Sequence, residues 1–158
     1  MLIVGLGNPH RGDDAAGILV VRRLRERGLN IVEQHGGPLD LFEIWETANS
    51  MVLVDAVLSG SEPGAGSVVG AVHIWDARSA RLRNEAFRSS THSFGLADAI
   101  ELARTLDRLP KHLVIYGIEA AQFVAGMPPS AQVLKGVESA VEHIATLWLQ
   151  ASTTSQAR

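Results

Sequence analysis

Three aspartates and one histidine stand where they could hold a metal ion or move a proton. Asp13 and Asp14 follow an apolar segment and a glycine-rich turn. Asp55 is the only charged residue in the apolar stretch 51–58, and His92 lies just before a predicted helix. Carboxylates and imidazole suit Zn, Ni, Mn or Fe(II), and the same groups serve in general acid–base catalysis. These residue types indicate a metal-dependent or acid–base site, provided that the fold brings them together.

The opening of the chain predicts a strand, a turn and a helix. Residues 2–4 are apolar, residues 5–12 are rich in Gly, Asn and Pro, and a helix begins at Asp13. A helix N-terminus after such a turn usually attracts an anion, because its free N–H groups and the helix dipole point outward. Asp13 and Asp14 reverse this preference. They leave an acidic surface that attracts a cation or a basic group.

Each of these residues also has an ordinary structural role to weigh against a functional one. Asp13 is expected to be the N-cap of the first helix, because Asp is a preferred cap residue. Two consecutive acids exceed what capping needs, so Asp14 is assigned to function. Asp55 needs partners, because an unpaired buried charge is costly, and its position favours function. The residues alone leave His92 open between a site residue and a helix-flanking one.

Strands and helices are predicted to alternate along the chain. The strands are predicted at 2–5, 30–33, 51–57, 67–75 and 113–117, and the helices at 15–27, 39–47, 95–106 and 130–149. The strand 67–75 is the least apolar and is placed near a sheet edge. The segments 59–66 and 77–90 are predicted loops, and the second contains four arginines that could grip an acidic part of a partner.

Alternating strands and helices predict an α/β domain of three layers, with a mostly parallel sheet covered by helices on both faces. In such sheets, ligands bind outside the carboxyl ends of the strands. Asp13 and Asp14 follow the first strand, Asp55 ends the third, and the loop carrying His92 can fold over the same edge. The topology therefore predicts that Asp14, Asp55 and His92 converge. The nearby His10 and His35 could contribute to the site, whereas the other histidines are assigned to the surface or to structural roles.

Composition excludes several classes of function. The 158 residues fit one domain, predicted at 1–149 and followed by a polar tail at 150–158. A net charge of −3 without a basic stripe argues against a nucleic-acid partner. The chain has no cysteine, which excludes disulfides, thiolate catalysis and Cys-based metal sites. The N-terminal segment does not resemble a signal peptide and no apolar run is long enough to span a membrane, so we expect a cytoplasmic monomer without a membrane partner.

Three separated motifs resemble those of the hydrogenase maturation endopeptidases. The first is Gly-Leu-Gly-Asn at 5–8 followed by Asp-Asp-Ala-Ala-Gly at 13–17. The second is Val-Asp-Ala at 54–56, and the third is Thr-His-Ser-Phe-Gly-Leu-Ala-Asp at 91–98. A glycine pair at 36–37 also falls where the family has one, although this chain has His35 where family members often have an acid. The likeness extends from residue 1 to about residue 149.

This resemblance implies a fold and an activity. The fold would be a phosphorylase/hydrolase-like α/β domain around a five-stranded sheet. Family members cut a C-terminal extension from the large-subunit precursor of nickel–iron hydrogenase after nickel insertion. The residues that contact the nickel carry over to Asp14, Asp55 and His92, which would serve an aspartic-type or metal-assisted peptidase. The nickel is expected to arrive with the substrate, and no organic cofactor is implied.

Three alternatives remain on the sequence alone. The opening at 2–9 is also typical of peptidyl-tRNA hydrolases, but the catalytic His of that family and a basic surface for tRNA are missing here. A dinucleotide-binding fingerprint would need glycine where His10 stands, and two aspartates would repel a pyrophosphate. The third is a non-catalytic module that binds a metallated partner through the same acidic residues.

Overall fold

The structure is a computed structural model that describes residues 1–58, 68–79 and 95–156, and its centre is a five-stranded sheet. The strands are β1 (Leu2–Leu6), β2 (Ile31–Gln34), β3 (Ser50–Val57), β4 (Val72–Asp76) and β5 (His112–Glu119). The helices are α1 (Ala16–Glu26), α2 (Leu41–Trp45), α3 (Leu96–Thr105) and α4 (Ala131–Gln156). Short 3-10 turns at Gly12–Ala15 and Pro38–Asp40 precede α1 and α2.

The sheet is mostly parallel, with the order β2-β1-β3-β5-β4. Only the pairing of β4 with β5 is antiparallel among the described strands. From β1 the chain moves outward to β2 and then returns past β1 to β3. The connections after β1 and β3 therefore diverge at neighbouring strands, which creates the crevice where sheets of this kind bind their ligands.

Side chains that alternate along the strands supply two separate cores. Helices α1 and α4 cover one face, and α2 and α3 cover the other. Along β3, Val52 and Val54 belong to the first core, whereas Leu53 and Val57 belong to the second. This three-layer arrangement confirms the predicted fold class, and the almost unbroken apolar run of β3 reflects burial on both faces.

Several predicted boundaries differ from the structure. The strand predicted at 67–75 is shorter, and it lies at the sheet edge as expected. The last helix continues to Gln156, past the end predicted at 149. The loop predicted at 59–66 and residues 80–90 of the arginine-rich loop lie outside the described residues. In the part of the chain that is described, no helix is both long and apolar enough to cross a membrane.

Candidate functional site

Glycines bring the start of α1 directly against the sheet. A Cβ atom added to Gly17 would lie 2.3 Å from the carbonyl oxygen of Val54 and 2.4 Å from that of Leu6. A Cβ atom on Gly5 would lie 2.3 Å from the carbonyl oxygen of Gly17. The helix backbone thus packs on the backbones of β1 and β3 with no side chain between them. Asp14, one turn before Gly17, is thereby carried to the end of β3.

The turn after β1 also needs a glycine, at position 7, because the backbone there packs closely against another segment. Gly7 has a φ of +121°, in a region that favours glycine, and a Cβ atom there would lie 2.0 Å from the carbonyl oxygen of Asp14. The turn can fold back onto the segment that carries Asp14 only if this position has no side chain. The Gly-Leu-Gly part of the opening motif is therefore a requirement of the backbone, and the chemistry belongs to the aspartates.

Asp55 is a buried carboxylate at the carboxyl end of a central strand. Asp55 is 8% exposed, and its Oδ1 accepts a hydrogen bond of 2.8 Å from the backbone N–H of Ala56. Burial, followed by like-charge repulsion from the Asp14 carboxylate, raises the pKa of Asp55 to about 7, and the Ala56 hydrogen bond acts in the opposite direction. The two residues predicted to meet at this edge are therefore close enough to interact electrostatically.

Asp14 is only partly buried and faces a mixed environment. Burial raises its pKa, while the nearby Arg11 charge and a backbone hydrogen bond from Asn8 act in the opposite direction. Two carboxylates that raise each other's proton affinity would also gain from a shared cation, which relieves the repulsion between them. The donor set at this edge thus suits a divalent metal ion or a basic group.

The third predicted site residue cannot be placed. His92 lies outside the described residues, in the segment that precedes α3. Over the ranges that the structure does describe, no three His, Asp or Glu side chains form a cluster that could hold a metal ion. The convergence of His92 with Asp14 and Asp55 therefore stays a prediction.

Asp13 does not have the role expected of it. The first helical turns have no side-chain cap hydrogen bond, so Asp13 is not the N-cap of α1. Instead its fully buried carboxylate accepts backbone N–H groups from Ala121 at 2.8 Å, Gln122 at 3.2 Å and Ser130 at 2.6 Å. Asp13 therefore fastens the connection between β5 and α4, in which Ser130 is the residue before the helix.

Glu119 is a buried acid that the sequence prediction missed. It ends β5, is 2% exposed, and has Oε2 at 3.3 Å from Nε2 of His73 on β4. The rule that selected Asp55, a charged residue at the end of an apolar strand, would have found it. The predicted strand ends at residue 117, whereas β5 continues to Glu119, so this acid lies beyond the predicted strand end. It pairs in register with Val57, two residues beyond Asp55.

Other candidate residues are engaged elsewhere. Nε2 of His35 lies 3.4 Å from Oε2 of Glu33, within a cluster of arginines on α1. His10 is exposed, and its backbone N–H donates to the Asn8 side chain. Arg78 was expected near the site by its order in the chain. Because β4 is antiparallel, Arg78 lies at the opposite edge of the sheet, where it donates to the carbonyl oxygen of Pro110.

The sequence matches known proteins of one kind. The sequence model of the HycI hydrogenase maturation protease family matches residues 19–147, a span that includes Asp55 and begins after Asp14. The chain is 30% identical to the hydrogenase expression/formation protein HupD of Bradyrhizobium diazoefficiens, over 75% of this chain and 62% of that protein. It is 26% identical to the hydrogenase 2 maturation protease of Escherichia coli, over 91% of this chain and 87% of that protein.

Solved structures show the same fold. The [NiFe] hydrogenase maturation protease HybD from Thermococcus kodakarensis superposes with a TM-score of 0.69 at 28% identity, covering 92% of this chain and 97% of that one. The E. coli endopeptidase HybD superposes with a TM-score of 0.70 at 22% identity, covering 95% and 92%, and supports the fold alone. These matches decide among the families considered from the sequence, since the peptidyl-tRNA hydrolase and dinucleotide-binding alternatives belong to other groups.

Proposed function

The chain belongs to the hydrogenase maturation protease family, and on that premise we propose that it removes the C-terminal extension of a nickel–iron hydrogenase large-subunit precursor after nickel insertion. The domain that performs this reaction is proposed to be residues 1–149. We expect it to act as a monomer in the cytoplasm, with nickel supplied by the precursor and with no organic cofactor.

One observation supports this proposal most directly. Asp14 and Asp55 lie together at the crevice between β1 and β3, and each raises the cost of ionising the other. A nickel ion held by the precursor's own ligands would offset this repulsion when it docks there. His92 is proposed as the third contact, since imidazole is a common nickel ligand.

The same electrostatics would make the metal a signal that assembly is complete. A precursor without nickel offers no cation, so the repulsion between the two carboxylates persists and the binding free energy gains little from this site. A precursor with nickel gains metal–carboxylate contacts in a partly dry environment, where they are stronger than in water. We therefore expect the peptidase to discriminate between the two forms by affinity.

Two arrangements of the cleavage step are compatible with this site. In the first, one of the two carboxylates removes a proton from the water that attacks the scissile carbonyl. In the second, the nickel of the substrate polarises the scissile carbonyl. Replacing nickel by zinc in the precursor separates them. If the bound zinc and nickel precursors are cleaved at the same rate, the carboxylate acts as the base. If their cleavage rates differ, the metal polarises the carbonyl.

The decisive experiment uses the precursor in two states. Nickel-loaded and nickel-free precursors are incubated with the purified protein, and the C-terminal mass is followed over time. We expect loss of the extension from the loaded form and much slower loss from the nickel-free form, because the nickel-free form lacks the metal contacts to Asp14 and Asp55. Equal processing of both forms contradicts the metal readout, and binding without any cleavage favours a non-catalytic module.

A further inference from the structure

An exposed apolar patch lies on the connection between β5 and α4. Val124 and Met127 are each 53% exposed, although both are large apolar residues. The whole connection, residues 120–130, contains no charged side chain. Apolar side chains kept in water at neighbouring positions of one loop are typical of surfaces that bind another protein.

The backbone under this patch is held in place by the turn that precedes α1. Gly126 donates its N–H to the carbonyl oxygen of His10 at 2.9 Å, and Gly12 donates to that of Met127 at 3.0 Å. The side chain of Arg11 donates to the carbonyl oxygen of Phe123 at 3.1 Å. Together with the three bonds accepted by the Asp13 carboxylate, these contacts fix the loop along its length. The patch is therefore ordered before any partner arrives.

The side chain of Gln122 fixes the loop from within. Its Oε1 accepts the N–H of Val124 at 2.8 Å, and its Nε2 donates to the carbonyl oxygen of Pro128 at 3.2 Å. Gly12 has a φ of +56°, and a Cβ atom there would lie 2.3 Å from that same Oε1. The close contact between the two loops therefore depends on glycine at position 12.

The patch adjoins the acidic site. Its backbone partners, residues 10–13, lead directly into Asp14, so the apolar side chains and the carboxylates share one edge of the sheet. A partner that brings a metal ion to Asp14 and Asp55 is therefore placed to contact this loop as well. The surface it meets is an acidic centre beside an uncharged apolar wall.

We propose that Val124 and Met127 form a docking surface for the folded precursor, contacting the apolar protein surface around its metal site. This inference rests on the proposed function and adds the surface by which the substrate is held. A preordered loop loses little conformational freedom when a partner binds, so its buried apolar area contributes more fully to affinity. Because residues 120–130 carry no charge, a folded apolar surface complements them better than a charged segment would.

The test compares docking-surface variants in the cleavage of nickel-loaded precursor. The double variant Val124→Ala with Met127→Ala removes apolar area without adding charge near Asp14. We expect its KM to rise about tenfold, with kcat within about twofold of the wild type. The double variant to Asp at both positions should raise KM further. Leu106→Asp is the matched control, because Leu106 is 52% exposed and follows the far end of α3. Its KM should stay unchanged, and circular dichroism should show that every variant is folded.

Each result either supports this surface or overturns it. Wild-type KM in the Ala double variant overturns the apolar docking surface, even if the Asp double variant is impaired, since the effect would then act through charge. A wild type that sediments as a dimer, and becomes monomeric in the Ala variant, assigns the patch to a second copy of this chain instead. A wild type that binds loaded precursor but leaves it uncut counts against the proposed cleavage, while equal binding by the Ala variant counts against the docking surface.

Discussion

Asp13 and Asp55 are both buried carboxylates at the same edge of the sheet, yet their surroundings differ. The Asp13 carboxylate accepts three backbone N–H groups from the connection between β5 and α4. The Asp55 carboxylate accepts a backbone hydrogen bond from the next residue, Ala56, and has the Asp14 carboxylate nearby. The first environment holds the carboxylate in place through hydrogen bonds from three backbone N–H groups. The second favours either a proton or a metal ion.

This difference is the basis on which we propose a structural role for Asp13 and a functional role for Asp14 and Asp55. Desolvation penalises any buried charge, and hydrogen bonds from fixed N–H groups can offset that cost. Where a like charge stands nearby instead, the site holds a latent affinity for cations, which is typical of functional positions. Asp13 and Asp14 are adjacent in the sequence and fall on opposite sides of this division. One carboxylate holds the loops together, and the other faces the crevice.

Substitution of the crevice carboxylates should have the largest effect. Asp55→Asn and Asp14→Asn remove the proposed metal contacts, and His92→Ala removes the third. We expect each to lower kcat/KM for nickel-loaded precursor by about a thousandfold, equivalent to about 4 kcal/mol of transition-state stabilisation. Cleavage is followed by mass analysis, and near-ultraviolet circular dichroism monitors the fold. Glu26→Gln, an exposed acid on α1, is the control. Normal cleavage by all three variants would contradict the assignment.

The pH dependence of the free energy of unfolding tests the environment of Asp55. The pKa of Asp55 is raised from 3.8 to about 7 in the folded chain. The unfolded chain therefore releases this proton at lower pH than the folded one, so stability falls as pH rises from about 4 to about 7. The full contribution is about 4 kcal/mol, at roughly 1.4 kcal/mol per pKa unit.

Urea unfolding with a chelator present measures this contribution. The wild type should lose stability between pH 5 and pH 8, and Asp55→Asn, which cannot ionise, should lose much less over the same range. At pH 8 the variant should be the more stable protein, although it is the less active one. Parallel pH profiles for the two proteins would show that Asp55 is already compensated in the folded chain.

The sequence predicted the proximity of Asp14 and Asp55 better than the contacts of Asp13, for a physical reason. Strand ends follow from local apolar patterns, and parallel topology then determines which ends meet, so Asp14 and Asp55 could be paired in advance. The role of Asp13 depends on N–H groups from Ala121 and Ser130, more than a hundred residues away along the chain. A local rule, the preference of Asp for the N-cap, could not reveal contacts that exist only after folding.

The missed Glu119 has a related cause. The predicted strand ends at Gly117, two residues before the end of β5, so the acid lay outside it. The antiparallel direction of β4 was equally hidden, since apolar alternation predicts a strand but not its orientation. Because of this orientation, Arg78, the first arginine of the predicted loop 77–90, lies at the edge of the sheet opposite Asp55.

Substitution of Asp13 should affect stability more than catalysis. Asp13→Ala leaves the partly buried N–H groups of Ala121, Gln122 and Ser130 without their acceptor, and we expect a loss of about 3 kcal/mol in the free energy of unfolding. Urea denaturation measures this loss. The folded fraction should also show a higher KM, because the loop that carries Val124 and Met127 is released, with kcat much less affected. Unchanged stability would show that the three hydrogen bonds accepted by Asp13 are dispensable, and it would remove the contrast with Asp55.

Glu33 offers the smallest effect, and its pH dependence has the opposite sign. This acid on β2 pairs with Arg22 at 2.8 Å and Arg25 at 2.9 Å, and the hydrogen bond from Arg22 lowers its pKa. Because the lowered pKa lies below the unfolded value, its stabilisation is present at neutral pH and is lost as pH falls. The arginines are largely exposed, so Glu33→Gln should cost less than about 1 kcal/mol at pH 7, and this cost should shrink in acid and at high salt.

Cleavage should be unaffected, since a carboxylate already neutralised by two cations has little affinity left for a third. A Glu33→Gln variant that loses activity would show that compensation by arginines does not separate structural from functional acids in this fold.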